Sequence, residues 1–122
     1  MSNTLCWTDI PVLDLDRAIA FYAGVLDAKI EKQPSLHGKS FGLLPGFDSG
    51  VSGCLCEGPQ KPSQDGPLIY LSVNGRLEGA LLAVAANGGK ILEPKHQIGP
   101  FGFRAIILDT EGNRLALHSQ TA

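Results

Sequence analysis

Hydrophobic and polar positions follow one another in the same order twice along the chain. Residues 7–30, WTDIPVLDLDRAIAFYAGVLDAKI, align without a gap with residues 68–91, LIYLSVNGRLEGALLAVAANGGKI. Each segment predicts a strand, a turn, an amphipathic helix and a second strand, because strand-like alternation gives way to helical spacing. A half of about sixty residues has difficulty burying a hydrophobic core alone. The repeat therefore predicts one domain built from two stacked copies.

The two helices have the clearest patterns. Asp14 suits the N-cap of the first helix, and an apolar stripe follows it at helical spacing. The members of this stripe are Leu15, Ala18, Ile19, Tyr22, Val25 and Leu26. A second helix is predicted over residues 76–86, with Asn87-Gly88-Gly89 as its left-handed stop. Its inward positions are Leu77, Ala80, Leu81 and Val84.

Strands complete each copy as a βαβββ unit. The predicted strands cover residues 5–12, 28–33, 39–44 and 51–56, then 67–73, 90–93, 101–108 and 114–119. Between the later strands we predict a loop over 94–100 and a tight turn over 109–113. The segment EGPQKPSQDG is free of hydrophobic residues and is predicted to be a linker. We thus expect a single domain, 1–122, with units at 5–57 and 67–120 and the linker at 57–66.

Composition and charge exclude several partners. The chain has 122 residues, of which 43% are hydrophobic and 18% charged, as in ordinary globular domains. A net charge of −2 with scattered basic residues argues against nucleic acid. No apolar run approaches the roughly 18 residues that span a bilayer, and we see no leader pattern. Three cysteines at no zinc-ribbon spacing predict reduced thiols and a cytoplasmic location.

Three sequence motifs carry a family resemblance. VLDLDRAIAFY follows the first strand, IGPFGFRA precedes a late strand and DTEGNRLALHS ends the chain. Together with the repeated βαβββ pattern, they resemble the vicinal oxygen chelate superfamily, and most closely its small glyoxalase-related proteins. That superfamily includes glyoxalase I, extradiol dioxygenases, methylmalonyl-CoA epimerase, fosfomycin-modifying enzymes and bleomycin-binding resistance proteins. The scaffold alone does not define a reaction.

The resemblance implies a fold of the glyoxalase/bleomycin resistance/dihydroxybiphenyl dioxygenase type. This is an α+β fold in which two tandem βαβββ units form a cup-shaped mixed β-sheet, with helices outside and a cavity inside. Members are commonly homodimers, and open sheet edges give a physical reason for pairing. We therefore expect a homodimer. The sequence leaves open whether the cup forms within one chain or by exchange of units between two chains.

In metal-dependent members, the first and last strands of each unit supply four side chains that hold a divalent ion. The corresponding residues here are Trp7, Cys54, Leu68 and Ala116. Three of these have no donor for a metal, and a single thiolate leaves an ion nearly uncoordinated. A one-residue slip of the alignment gives Thr8, Leu55, Ile69 and Leu117, which are no better. We therefore predict no metal and no cofactor.

Strand alternation then predicts which side chains line the cup. The predicted ligand-binding residues are Trp7, Asp9, Cys54, Cys56, Leu68, Tyr70, Phe101, Arg114, Ala116 and His118. Such an amphipathic lining favours a small, partly apolar or aromatic organic ligand stacked on the Trp7 indole. Alternatively, Trp7 merely fills the space of the missing ion. Phe101 either closes over a ligand or packs on the core.

The candidate catalytic residues are Asp9, His118 and Tyr70. A carboxylate that orients an imidazole makes a general base near neutral pH, with the tyrosine as proton donor. The alternative function is therefore a lyase- or isomerase-like enzyme, glyoxalase-related, that uses Asp9/His118 acid-base chemistry. Against it, a histidine in a terminal strand is more often structural. The sequence argues against metal-dependent glyoxalase or dioxygenase activity and otherwise leaves catalysis open.

The other reactive side chains have structural interpretations. His37 and His96 are expected in exposed turns or loops, and Cys54 and Cys56 as small buried hydrophobes, since a strand C-x-C lacks the helix N-terminus that lowers thiol pKa. Arg104 and Arg114 either bind an anionic ligand group, or are solvated charges, or pair with a nearby carboxylate such as Glu111 or Asp109.

Overall fold

The structure, a computed structural model, describes residues 4–34, 38–48 and 50–122. His37 lies outside the described residues. Within them, each half of the chain is a βαβββ unit, as the repeat predicts. The first unit comprises β1 (Asp9–Val12), α1 (Leu15–Leu26), β2 (Glu31–Gln33), β3 (Phe41–Leu43) and β4 (Cys54–Glu57). The second comprises β5 (Ile69–Ser72), α2 (Leu77–Ala86), β6 (Lys90–Gln97), β7 (Phe103–Leu108) and β8 (Arg114–Ser119).

Each unit contributes one four-stranded mixed sheet. The strand orders are β1-β4-β3-β2 and β5-β8-β7-β6. β1 pairs in parallel with β4, and β5 with β8, whereas the remaining pairs are antiparallel. The last strand of each unit therefore lies beside its first strand, and the α+β class is confirmed.

The helices begin and end for the predicted reasons. The Asp14 side chain accepts a hydrogen bond from the Arg17 amide at 3.1 Å, which satisfies one free N–H of α1. After α2, Gly88 has a positive φ of 93°, which glycine adopts without strain. The buried side chains of α2 are Leu77, Ala80, Leu81 and Val84, as the pattern predicts.

Several strand boundaries differ from the prediction, and the largest differences are at the end of β6 and the start of β1. The loop predicted over residues 94–100 is wrong at its start, because β6 continues to Gln97. Pro94 is tolerated there because the register of β6 against β7 shifts between Glu93 and His96, and a proline in such an irregularity removes no ladder hydrogen bond. At the other end of the chain, the first strand begins only at Asp9, and Leu5 is exposed.

One hydrophobic core lies between the units. It takes Ile10, Val12 and Leu55 from the first sheet, and Ala105, Ile107, Leu115 and Leu117 from the second. The buried stripes of both helices join the same core, and α1 packs against α2. Each sheet therefore turns its other face away from the core, and these outward faces carry the polar residues considered below. No helix of the described residues has the length and apolarity needed to cross a membrane.

Candidate functional site

Seven of the ten predicted cup residues line two separate cavities in one chain. The first-unit cavity, of about 680 Å³, lies on the outward face of the first sheet. Its lining is Trp7, Asp9, Lys39, Ser40, Phe41, Cys54, Cys56, Glu57, Gly58 and Pro59. The second-unit cavity, of about 600 Å³, lies on the outward face of the second sheet. Its lining is Tyr70, Leu71, Ser72, Ile98, Phe101, Arg104 and His118.

This division separates the residues of the catalytic hypothesis. Asp9 belongs to the first-unit cavity, and His118 and Tyr70 belong to the second-unit cavity. Asp9 Oδ1 accepts hydrogen bonds from Trp7 Nε1 at 3.1 Å and Cys54 Sγ at 3.2 Å. His118 Nε2 instead lies 2.6 Å from the Phe101 carbonyl oxygen. Within one chain, therefore, the expected Asp9–His118 acid-base pair is not formed. Strand alternation predicts the face on which each residue lies, but not which faces oppose one another.

Arg104 is the cation of the second-unit cavity. It lies on β7, directly opposite His118 on β8 and His96 on β6. Its Nε donates to His96 Nε2 at 3.0 Å, and its Nη1 donates to the Tyr70 hydroxyl. The guanidinium carbon also lies 5.9 Å from the centre of the Tyr70 ring, within the range of a cation–π contact. These contacts fix the guanidinium at the wall of the cavity.

His96 differs from its predicted role as an exposed loop residue. It lies in β6 and is half-buried. Its Nδ1 lies 2.9 Å from the Pro94 carbonyl oxygen, so Nδ1 carries the proton and Nε2 is left to accept from Arg104. The histidine therefore positions Arg104, and the longer β6 is what brings the two side chains together.

The rim of the second-unit cavity is formed by a short 3-10 turn at Gly99–Phe101. Phe101 is 70% exposed, so packing on the core is not its role. The following Gly102 has a positive φ of 98°, and a side chain there would meet the Ser119 carbonyl oxygen at 2.6 Å. Glycine thus lets the turn approach β8, where the Phe101 carbonyl accepts the hydrogen bond from His118.

The first-unit cavity contains two thiols beside a carboxylate. Burial, together with the hydrogen bond to Asp9 and its charge, raises the pKa of Cys54 to about 12. The pKa of Cys56 is also raised, mainly by burial and to a lesser extent by the charge of Asp9. Both residues are therefore neutral thiols near pH 7, which are poor nucleophiles. Cys54 is 7% exposed and Cys56 is half-buried, so the expectation of buried thiols holds fully only for Cys54.

The four residues that correspond to the ion-binding positions of the superfamily do not fit such an ion. Trp7 offers an indole N–H, which is a donor and is directed at Asp9. Ala116 is fully buried between Tyr70 and Ile106 in the sheet, and Leu68 is hydrocarbon. Of the four, only Cys54 carries a ligand atom for a metal.

Arg114 has a structural contact rather than either expected acidic partner. Its Nε donates to the Gln64 carbonyl oxygen at 3.0 Å, at a groove between the two units that Asp9 also lines. Glu111 pairs instead with Arg17 of α1, at 2.8 Å. Pairing of Arg114 with Glu111 was one of the sequence-based alternatives, and it is wrong.

Several lining residues escape sequence analysis. Ile98 belongs to the second-unit cavity because β6 extends beyond its predicted end. Lys39, Phe41 and Pro59 line the first-unit cavity from segments that show only strand or turn patterns. The period of two in Phe41–Leu43 was a usable signal for Phe41, since it pairs with Cys56 across β3 and β4.

Sequence comparison identifies relatives along most of the chain. The sequence profile of the Glyoxalase/Bleomycin resistance protein/Dioxygenase superfamily matches residues 4–117. The protein named "Putative glyoxylase CFP32" of Mycobacterium tuberculosis (strain CDC 1551 / Oshkosh) is 29% identical over 111 residues, which are 91% of this chain and 42% of that protein. The chain thus spans about two-fifths of the length of the curated relatives it matches.

Solved structures agree in fold. A glyoxalase/bleomycin resistance protein from Albidiferax ferrireducens T118 superposes with a TM-score of 0.75 and 18% identity, covering 96% of this chain and 98% of that one. FosX, the genomically encoded fosfomycin resistance protein of Listeria monocytogenes, superposes with a TM-score of 0.69 and 20% identity, covering 98% and 94%. Identities this low establish a shared fold only.

Proposed function

The chain belongs to the Glyoxalase/Bleomycin resistance protein/Dioxygenase superfamily, and from this premise we propose that it binds a small organic molecule without the help of a metal ion. The ligand is partly apolar or aromatic and carries an anionic group. It occupies the second-unit cavity. The observation that supports this most directly is the Arg104 guanidinium, fixed beside apolar walls.

The chemistry of the cavity fits such a ligand. Arg104 is held from both sides, by His96 and by Tyr70, so little side-chain freedom is lost when an anion binds. A guanidinium is also suited to a carboxylate, which it contacts through two parallel hydrogen bonds. Phe101 and Ile98 supply apolar area in the same cavity. This combination of apolar walls with a few polar groups is typical of small-molecule sites.

Catalysis has less support than binding. The catalytic hypothesis requires a carboxylate next to His118, and within one chain the hydrogen bond of His118 goes to the Phe101 carbonyl instead. His118 also meets the Tyr70 ring edge-on, with the ring centres 6.3 Å apart. Both contacts orient the imidazole as part of the cavity wall.

We also propose that the protein is a homodimer. Trp7 and Tyr70 are 44% and 45% exposed although each lines a cavity. Pairing of two chains through these outward faces covers both aromatic side chains. It also places the first-unit cavity of one chain opposite the second-unit cavity of the other, so that the cup is shared between chains.

The ligand-binding proposal is tested with matched pairs of small aromatic acids and their neutral amides in a thermal-shift screen. An acid present at a concentration one hundred times its Kd stabilises the protein by about 2.7 kcal/mol. The matching amide at the same concentration should have a much smaller effect. Arg104→Gln removes the preference for the acid. Arg114→Gln is the matched control, because Arg114 lies in the groove between the units.

Two results contradict the proposal. Acids and amides that bind equally well show that no cation recognises the ligand. A preference for acids that Arg104→Gln leaves intact shows that the anion binds elsewhere. Metal dependence is checked on the same pairs, since binding that disappears after treatment with a chelator contradicts a metal-independent site.

A further inference from the structure

Asp9, Cys54 and Cys56 form a cluster at the first-unit cavity, which the proposed function does not use. One possible ligand atom from each, a carboxylate oxygen and two Sγ atoms, lies within 4.8 Å of the other two. We propose that this cluster binds a divalent cation of the zinc class, with these three side chains as its protein ligands. The four strand positions discussed above do not define this site, since only Cys54 belongs to both sets.

The sheet brings the three side chains together before any cation binds. Asp9 on β1 is directly opposite Cys54 on β4, and Pro11 is opposite Cys56, so the three residues share the outward face. Cys54 and Cys56 are two residues apart on one strand, which directs their side chains to the same side. Because the backbone positions are set by paired strands, binding needs only rotation of side chains.

The distances suit a small tetrahedral ion after a modest closure. Zinc binds thiolates at about 2.3 Å and carboxylate oxygens at about 2.0–2.2 Å, which puts neighbouring ligand atoms about 3.5–3.8 Å apart. Cys54 Sγ and Asp9 Oδ1 are already closer than this, at 3.2 Å. The remaining separations, bounded by 4.8 Å, close by about 1 Å.

The donor types select the metal. Two thiolates with one carboxylate favour zinc, cadmium or cobalt over magnesium, calcium or manganese, which prefer oxygen donors. A thiol must lose its proton to bind the cation as a thiolate, so binding releases two protons to solvent.

Trp7 supports the site without contacting the cation. Its Nε1–H donates to Asp9 Oδ1 at 3.1 Å, which fixes the direction of the carboxylate beside the two cysteines. Hydrogen bonds of this kind orient metal ligands and are commonly worth 10- to 100-fold in affinity, as an order of magnitude. Trp7 is therefore a positioning residue of the proposed site.

A three-residue site leaves one coordination position open. Sites with three protein ligands take water or a ligand atom as the fourth, whereas purely structural zinc sites are closed by four. Asp9, Cys54 and Cys56 all line the first-unit cavity, so the open position faces that space. The organic-ligand proposal concerns the second-unit cavity and needs no cation. In the proposed dimer the two cavities share one cup, so ligand binding is measured with and without zinc to distinguish the two proposals.

The experiment is a titration of the full chain with cobalt(II), in reducing, chelator-free buffer, followed by displacement with zinc. Thiolate ligation is recorded as sulfur-to-cobalt charge-transfer absorption in the near ultraviolet. We expect one equivalent to bind, with zinc displacing cobalt. Cys54→Ser and Cys56→Ser should each abolish the charge-transfer signal of a two-thiolate site or weaken cobalt binding at least about ten-fold. Trp7→Phe should weaken cobalt binding by about ten-fold or more.

Cys6→Ser is the matched control, because Cys6 is an exposed cysteine outside the cluster, and it should bind cobalt like the unmodified protein. Circular dichroism establishes that each variant is folded. No charge-transfer signal in the folded unmodified protein overturns the proposal. The proposal is also overturned if the charge-transfer signal is unchanged in both Cys54→Ser and Cys56→Ser, or if Cys6→Ser removes that signal. Binding of acids in the presence and absence of zinc reports on the organic-ligand site independently.

Discussion

Glu111 is a buried carboxylate through which the second unit holds the start of α1. Its side chain accepts from the amides of Leu13 and Asp14, each at 2.9 Å, and pairs with Arg17 at 2.8 Å. Burial alone raises the pKa of Glu111, but the hydrogen bonds from Arg17, Thr110 and the two amides outweigh it and lower the pKa to about 2. The folded state therefore strongly favours the ionised carboxylate.

This lowered pKa predicts how stability changes with pH. Because the folded protein binds the proton more weakly than the unfolded chain, the contribution of Glu111 is fully present above its ordinary pKa of 4.5 and is lost as pH falls toward about 2. Glu111→Gln should lower the free energy of unfolding by about 2–3 kcal/mol at pH 7, and by progressively less below pH 4. Urea denaturation at several pH values measures the difference.

Glu93→Gln is the control for that measurement, because Glu93 is exposed on β6. It should change stability by less than about 0.5 kcal/mol at any pH. An equal loss for Glu111→Gln at pH 7 and pH 3 contradicts the linkage, since it assigns the effect to packing rather than to the ionised carboxylate.

At the scale of elements, Gly89 allows α2 and β6 to approach α1 and β7. A Cβ atom at this position would meet Phe21 Cε1 at 2.6 Å, the Leu108 carbonyl oxygen at 2.7 Å and Val84 Cγ1 at 2.9 Å. Gly89→Ala should therefore destabilise the fold by about 1–3 kcal/mol, since backbone must move to relieve the contact. Gly79→Ala is the matched control in α2, where a Cβ meets nothing within 4 Å.

The two glycine substitutions should have opposite signs. Alanine is the better helix former, so Gly79→Ala should stabilise the protein by up to about 1 kcal/mol. Chemical denaturation of both variants gives the comparison. A neutral or stabilising effect of Gly89→Ala contradicts the close packing of the two units at this position.

The elements show what the sequence can and cannot predict. Helical periodicity predicts α1, α2 and the buried face of α2, since each depends on residues three and four apart. On α1 it misses the buried Phe21 and includes Ile19 and Leu26, which are only partly buried. The ends of β6 depend on its pairing with β7, which a local pattern with Pro94 at its centre does not reveal. Strand alternation likewise places Asp9 and Cys54 on one face correctly, but the separation of Asp9 from His118 results from the packing of whole units. The partners of Glu111 and Arg104 come from segments distant in sequence, and charge pattern alone does not choose among them.

At the scale of the whole molecule, the exposed outward faces predict a dimer that dissociates on dilution. The complex should have twice the chain mass of 12.9 kDa, as measured by light scattering coupled to size-exclusion chromatography. We expect burial of the exposed Trp7 and Tyr70 side chains to drive this association. A mass of one chain at every accessible concentration contradicts the homodimer.

The single tryptophan reports which surface pairs. Trp7 is the only tryptophan in the sequence and is 44% exposed in one chain. If the outward faces meet, Trp7 loses water on association, so its fluorescence maximum should shift to longer wavelength on dilution, at the concentration where the mass falls. The Trp7 emission is also recorded while zinc is added at constant protein concentration. This measurement separates the change caused by dissociation from any change caused by metal binding beside Trp7. A mass transition without any change in Trp7 emission locates the interface elsewhere and contradicts a cup shared between two chains.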